Sequence, residues 1–184
     1  YAMGVKESSL GIGSGATAIT LVPAMADKAA KVTMLQRSPS YIMSLPDTDR
    51  ISMLLKTFRP KRWVFSLARR RNILFQRGLY LACMRWPRMM RRFMLRHMRK
   101  KAGPNVDMRH FTPNYYPWEQ RLCAAPDGDF FRSLRSGKAD IATDHIDHFS
   151  RNGIVLKSGQ ELEADVIITA TGLDVQLMGG MVLH

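Results

Sequence analysis

Cysteine is scarce in this sequence: Cys83 and Cys123 are the two among 184 residues, with no CxxC and no cysteine-histidine spacing. Neither a disulfide framework nor a structural zinc site is therefore indicated, and a reducing, cytoplasmic setting fits best. A membrane-spanning run is missing too. The longest uncharged stretch, Ser8 to Ala26, is 19 residues, but three glycines and Pro23 make it a loop and helix. No secretory signal is expected in front of it, and no serine or cysteine sits in a nucleophile elbow, so hydrolase chemistry is not suggested. Negative charge is also short: 15 Asp and Glu stand against 28 Lys and Arg, a net charge of +13. Such an excess calls for an anionic partner, which leaves a phosphate cofactor, a membrane surface or a nucleic acid.

The length is that of one ordinary domain, but three regions differ in character. Gly11 to Gln36 reads as a turn, an Ala-rich helix from about Ala16 to Ala30 and the apolar strand Val32 to Leu35, half of a βαβ unit. The strand expected before it, around Val5 to Ile12, is interrupted by Lys6, Glu7, Ser8 and Ser9, which suggests a foreign or truncated start. From Arg50 to Lys101 there are 17 basic residues and no acidic ones, interleaved with Leu, Met, Phe and Trp at helical spacing. Pro60 and Pro87 divide that block into two or three helices. After Phe111, prolines 113, 117 and 126 mark an irregular loop. Asn152-Gly153 then predicts a hairpin between Ile146–Phe149 and Ile154–Lys157, and Ala164 to Ala170 reads as a buried strand. The expected architecture is α/β: a discontinuous, partial Rossmann-like domain from residues 1–49 and 107–184, with a basic helical insertion at 50–106.

Gly13-Ser14-Gly15-Ala16-Thr17-Ala18 has the G-x-G-x-x-A spacing of a dinucleotide fingerprint. The first glycine permits the tight turn, the second lets backbone approach a pyrophosphate, and a small third residue lets helix pack close to strand. A Gly-rich turn with no ligand is the other reading of those residues. The end of the second strand adds specificity. NAD sites place Asp or Glu there to bind ribose hydroxyls, whereas here Gln36, Arg37 and Ser38 stand. With no carboxylate to repel it, a 2'-phosphate can be held by Arg37 and Ser38, so NADPH is expected over NADH. The alternative is an ordinary solvated arginine.

Four segments, Gly13 to Ala18, Gln36 to Tyr41, Tyr116 to Cys123 and Ala170 to Leu173, together resemble class B flavoprotein monooxygenases of the Baeyer-Villiger type, in particular the ethionamide-activating ones. The resemblance runs from about Ile12 to Gly180. It implies an enzyme with separate FAD and NADPH domains, in which NADPH reduces the flavin, O2 adds as a C4a-peroxyflavin, and a ketone or sulfur-containing small molecule is oxygenated. By the same resemblance Arg121 is the active-site arginine, a fixed positive charge for developing negative charge. The alternative is a loop arginine paired with Asp127 or Asp129. Thr171 and Gly172 join Gly13, Ser14, Gly15, Thr17, Ala18, Arg37 and Ser38 on the cofactor side. Two departures stand out. Gln120 occupies the position where some relatives carry a lysine as a second 2'-phosphate ligand. The family's own FAD fingerprint and its F-x-G-x-x-x-H signature are absent, so the chain is expected to be an NADPH-binding portion, inactive alone.

An N- or S-oxygenating flavin monooxygenase, or another two-dinucleotide flavoprotein, shares the fingerprint and the Ala-Thr-Gly element; Arg121 in its proline-aromatic loop favours the Baeyer-Villiger type. A basic binding protein is the reading from a different class. Its helices would meet an anionic membrane peripherally, nucleic acid being the least expected partner. His145 and His148, with Asp144 and Asp147, read as polar side chains in water rather than a metal cluster, because strand alternation puts neighbours on opposite faces.

Overall fold

The computed structural model describes residues 7–104, 106–120 and 122–172. Its centre is a βαβ unit: β1 (Ser8–Ile12), α1 (Ala16–Ala26) and β2 (Lys31–Gln36), with β1 and β2 parallel and Ile12 opposite Leu35. Next come β3 (Tyr41–Leu45) and three helices, α2 (Arg50–Phe58), α3 (Lys61–Arg85) and α4 (Pro87–Ala102). The chain continues through β4 (Leu122–Pro126), α5 (Asp129–Arg135), β5 (Ala139–Thr143), β6 (Ile146–Phe149), β7 (Gly153–Leu156), β8 (Glu161–Glu163) and β9 (Val166–Thr169).

The main sheet has the order β5-β2-β1-β9, every pair parallel. Counted along the chain this is 3-2-1-4, the order of one half of a doubly wound Rossmann sheet, with its switch point between β1 and β9. One face is covered by α1 and α5, where Ile19, Val22 and Met25 meet Phe130 and Phe131. Phe111 completes an aromatic trio with those two phenylalanines, all three nearly free of solvent and their centroids 5.7 to 6.4 Å apart. The other face packs Leu10, Ile12 and Leu35 against Ile154 and Leu156 of the antiparallel β6-β7-β8 meander. Apolar side chains on both faces explain why β2 reads as a near-continuous hydrophobic run.

β1 forms despite its polar start. It begins at Ser8, whose N–H and hydroxyl both donate to Asp165 Oδ2 at 2.7 and 3.0 Å, tying its polar end to the residue before β9. Residues 1–6 of the suspected foreign start lie outside the described residues. The α1 helix stops four residues earlier than expected, at Ala26. The Ala30 N–H donates to Glu7 O at 3.1 Å, so the chain has already turned back to lay β2 beside β1. β9 is in the expected sheet, but it is part-exposed rather than buried. Among the described residues it has β1 on one side only, as an edge strand does.

The hairpin turn spans Ser150 to Gly153, closed by Ser150 N–H on Gly153 O at 3.0 Å, so Gly153 already belongs to β7. Its smallness serves a close approach instead of a left-handed turn: a Cβ there would lie 2.0 Å from Leu162 O in β8. The basic block forms three helices, divided at Pro60 and Pro87, the latter at the first helical position of α4 where no partner for its nitrogen is needed. Met90, Met94, Met98 and Ala102, four apart, are the buried side of α4. Among the described residues no helix is long and apolar enough to cross a membrane.

Candidate functional site: the carboxyl edge of the parallel sheet

β1 is followed by Gly13, whose φ of +139° only glycine adopts without strain and where a Cβ would sit 2.4 Å from the Ala170 carbonyl oxygen. Its N–H donates to Leu35 O at 2.8 Å, which fixes the turn to β2. Gly15 caps α1 in an extended conformation, and no atom lies within 4 Å of a Cβ built there. No side chain caps α1, and its first turn carries no acidic residue. The orphan N–H groups and positive dipole end of that helix thus face an open cradle at the sheet edge, which suits a phosphate. Ala18, 1% exposed, gives the close helix-sheet packing expected of the third small residue, while Thr17 is exposed.

Ser14 faces inward. Its hydroxyl donates to Ser38 O at 3.4 Å and accepts from Ser40 Oγ at 3.4 Å, binding the glycine loop to the link between β2 and β3. Gln36, 1% exposed, is likewise a structural residue: its amide nitrogen donates to His110 O at 2.7 Å and Thr143 Oγ1 at 2.8 Å. Arg37 beside it is exposed and makes no ion pair with a described residue. Ser38 is half-buried. On the other side of the loop, Ala170 N–H donates to Ile12 O at 2.7 Å, bringing exposed Thr171 and Gly172 to the switch point. Gly13 to Ala18, Arg37, Ser38, Thr171 and Gly172 therefore share one edge.

Arg121 lies outside the described residues. The residues after it enter β4, which pairs parallel with β3 from Tyr41↔Leu122 to Leu45↔Pro126. Cys123, nearly buried, donates from Sγ to Ser14 O at 3.6 Å, so this strand leans on the glycine loop. Upstream, Trp118 takes a left-handed φ of 78°, with Tyr116 N–H on Glu119 Oε2 at 2.7 Å and its ring edge-on to Tyr80 of α3 at 5.8 Å. Ser40 and Cys123 were not legible as site residues, because their role rests on a pairing between segments far apart in sequence.

Asp144, at the end of β5, was read only as a surface residue. Its N–H bonds Gln36 O at 3.0 Å, next to Arg37, and the Ser158 and His145 groups that donate to its carboxylate hold it below the usual range. His148 pairs with Asp147 at 2.8 Å, and among the described residues no three His, Cys, Asp or Glu side chains form a metal-binding group. A groove of about 980 Å³ runs elsewhere, along the β5 edge between Lys31, Arg109, His110 and Glu161, and does not include the glycine loop. In its wall, burial and then Arg109 push the His110 imidazole below its ordinary pKa. Among the described residues the carboxyl edge of the sheet presents the N–H groups at the start of α1 and the exposed Arg37 cation, an arrangement suited to an anion.

The fold and this edge define a Rossmann-like α/β unit. Along 92% of its length the chain is 60% identical to the protein named "Putative FAD-containing monooxygenase MymA" and 53% identical to the FAD-containing monooxygenase EthA, both of Mycobacterium tuberculosis. It spans 35% of each of those relatives. A crystal structure of OTEMO in complex with FAD and NADP shares the fold, with a TM-score of 0.68 at 14% identity, over 92% of this chain and 39% of that one. No protein-family model matches the chain. Over the segment that it shares with them, the chain is similar to the FAD-containing monooxygenases.

Proposed function

We propose that this chain is the NADPH-binding portion of an FAD-dependent monooxygenase of the Baeyer-Villiger type, whose whole protein uses O2 to oxygenate a ketone or a sulfur-containing small molecule. The observation that carries the reading is the convergence on one sheet edge of the uncapped α1 N-terminus, the open cradle at Gly15 and the exposed Arg37. NADPH bound there supplies a hydride. The N–H groups from Gly13 to Ala18, with Thr171 and Gly172 beside them, would hold the pyrophosphate, and Arg37 with Ser38 would hold the 2'-phosphate. Ser14 contributes by holding the loop from behind.

Arg121 is the charge that stabilises negative charge developing in the reaction, in a site that the remaining length of the enzyme completes. The chain presents no FAD fingerprint of its own, and in this reading it does not oxygenate by itself. Residues 1–49 and 107–184 form the cofactor unit, 50–106 is inserted into it, and the enzyme works in the cytoplasm, where its basic helices can meet an anionic membrane peripherally. Relatives named as FAD-containing monooxygenases support the chemistry. Titration of the chain with NADPH and NADH tests the binding step: NADPH is expected to bind markedly more tightly, and equal affinities would remove the 2'-phosphate site.

A further inference from the structure

On α3, Trp63, Leu67, Leu74 and Leu81 recur at intervals of four, seven and seven, with Arg70 and Arg77 between them, so all six stand on one stripe of the helix. All six are exposed, Trp63 at 67% and Leu74 at 68%. The helix packs through another side, where Val64 and Cys83 are buried. The stripe from Trp63 to Leu81 runs about 27 Å at the helical rise. At its start, Trp63 and Leu67 join Leu55 and Arg59 around an open apolar cleft of about 590 Å³ between α2 and α3. Large apolar side chains held in water along such a length mark an interaction surface.

The charge pattern selects the partner. Among the described residues of this helical block one cation is paired, Arg71, which meets Asp49 at 2.5 Å; Arg70 and Arg77 have no carboxylate. A second copy of this helix would set arginine against arginine, a repulsion with no acid to relieve it. A sheet of phosphate headgroups above acyl chains meets both requirements: cations stay at the headgroups while Trp63 and the leucines enter the boundary beneath. We propose that the exposed face of α3, with the α2-α3 cleft, docks flat on an anionic lipid bilayer. The surface is remote from the glycine loop in sequence and stands or falls apart from the NADPH reading.

Flotation of the 184-residue chain with phosphatidylcholine vesicles, with and without phosphatidylglycerol, decides it. Binding is expected to anionic vesicles alone and to fall with added salt. Arg70→Gln with Arg77→Gln should weaken it about 25-fold, since each basic residue near an anionic surface contributes about fivefold. Lysine at both positions should restore binding, which separates charge from misfolding. Trp63→Ala should weaken what remains at high salt. Equal binding to neutral vesicles, no flotation with either kind, a dimer in sedimentation with no vesicle binding, or capture by duplex DNA in place of vesicles would each overturn the proposal.

Discussion

The glycine loop and helix α3 use a small residue in opposite ways. At Gly13 the backbone is pressed against Ala170 and turned to a positive φ, so the missing side chain is a requirement of the packing. At Gly78, in mid-helix, a Cβ would meet nothing within 4 Å. One region is over-determined by its neighbours on three sides; the other is a helix largely clothed in water. Function that depends on fixed geometry belongs to the first, and function that depends on accessible surface belongs to the second.

The largest effect that sharpens this contrast is expected at Arg121. In the full-length enzyme Arg121→Ala should lower oxygenation by about a hundredfold or more, the scale of losing a stabiliser of developing negative charge. NADPH affinity should hardly change. Full product formation in that variant would take Arg121 out of the mechanism. Gly13→Ala comes next: a clash with backbone and a disallowed φ together should cost about 3 kcal/mol in thermal or denaturant unfolding, with loss of NADPH binding. An unchanged melting temperature would mean that the loop is far looser than its contacts imply.

Arg37→Ala should weaken NADPH binding by about 1.5 to 3 kcal/mol and leave NADH unaffected, as expected for a charged hydrogen bond to the 2'-phosphate. Equal losses for both cofactors would show that Arg37 does not read the phosphate. Gly78→Ala should instead stabilise the chain by about 0.5 to 1 kcal/mol, because helix propensity is the term that changes. Destabilisation there would reveal a close partner on α3.

The smallest effect concerns pH. The Arg71 guanidinium, then Ser52, hold the Asp49 carboxyl well below its ordinary value at the N-terminus of α2. A depressed pKa stabilises the folded state above the unfolded value and loses that contribution as pH falls below about 4 toward the folded one. Helicity of the α2-α3 pair should therefore decline in acid, and Asp49→Asn should flatten that decline when followed by circular dichroism.

Local pattern made part of this molecule legible and not the rest. The β1-α1-β2 order, the three basic helices and the β6-β7 hairpin follow from apolar periodicity, glycine spacing and proline positions, which act over a few residues. The β3-β4 pairing joins Tyr41 to Leu122 across more of the chain than any periodicity spans. The short β5 and β8 were missed because Ala139–Thr143 and Glu161–Glu163 are too brief and mixed to show an alternating pattern. The exposure of β9 depends on its place at the edge of the sheet, which its run of Val166, Ile167 and Ile168 does not announce. At the site, spacing alone singled out Gly13, Gly15 and Arg37, whereas the inward turn of Ser14 toward Ser38 and Ser40 depends on how the β2-β3 link folds back.

The carboxyl edge of the parallel sheet is proposed to hold NADPH, with Arg37 on its 2'-phosphate. A crystal structure of the chain grown with NADP+ tests it most directly. The pyrophosphate is expected against the Gly13 to Ala18 backbone, with the Arg37 guanidinium within hydrogen-bond reach of the 2'-phosphate; NADP+ bound in the groove beside His110, or at the sheet edge with Arg37 turned to solvent, would overturn this reading.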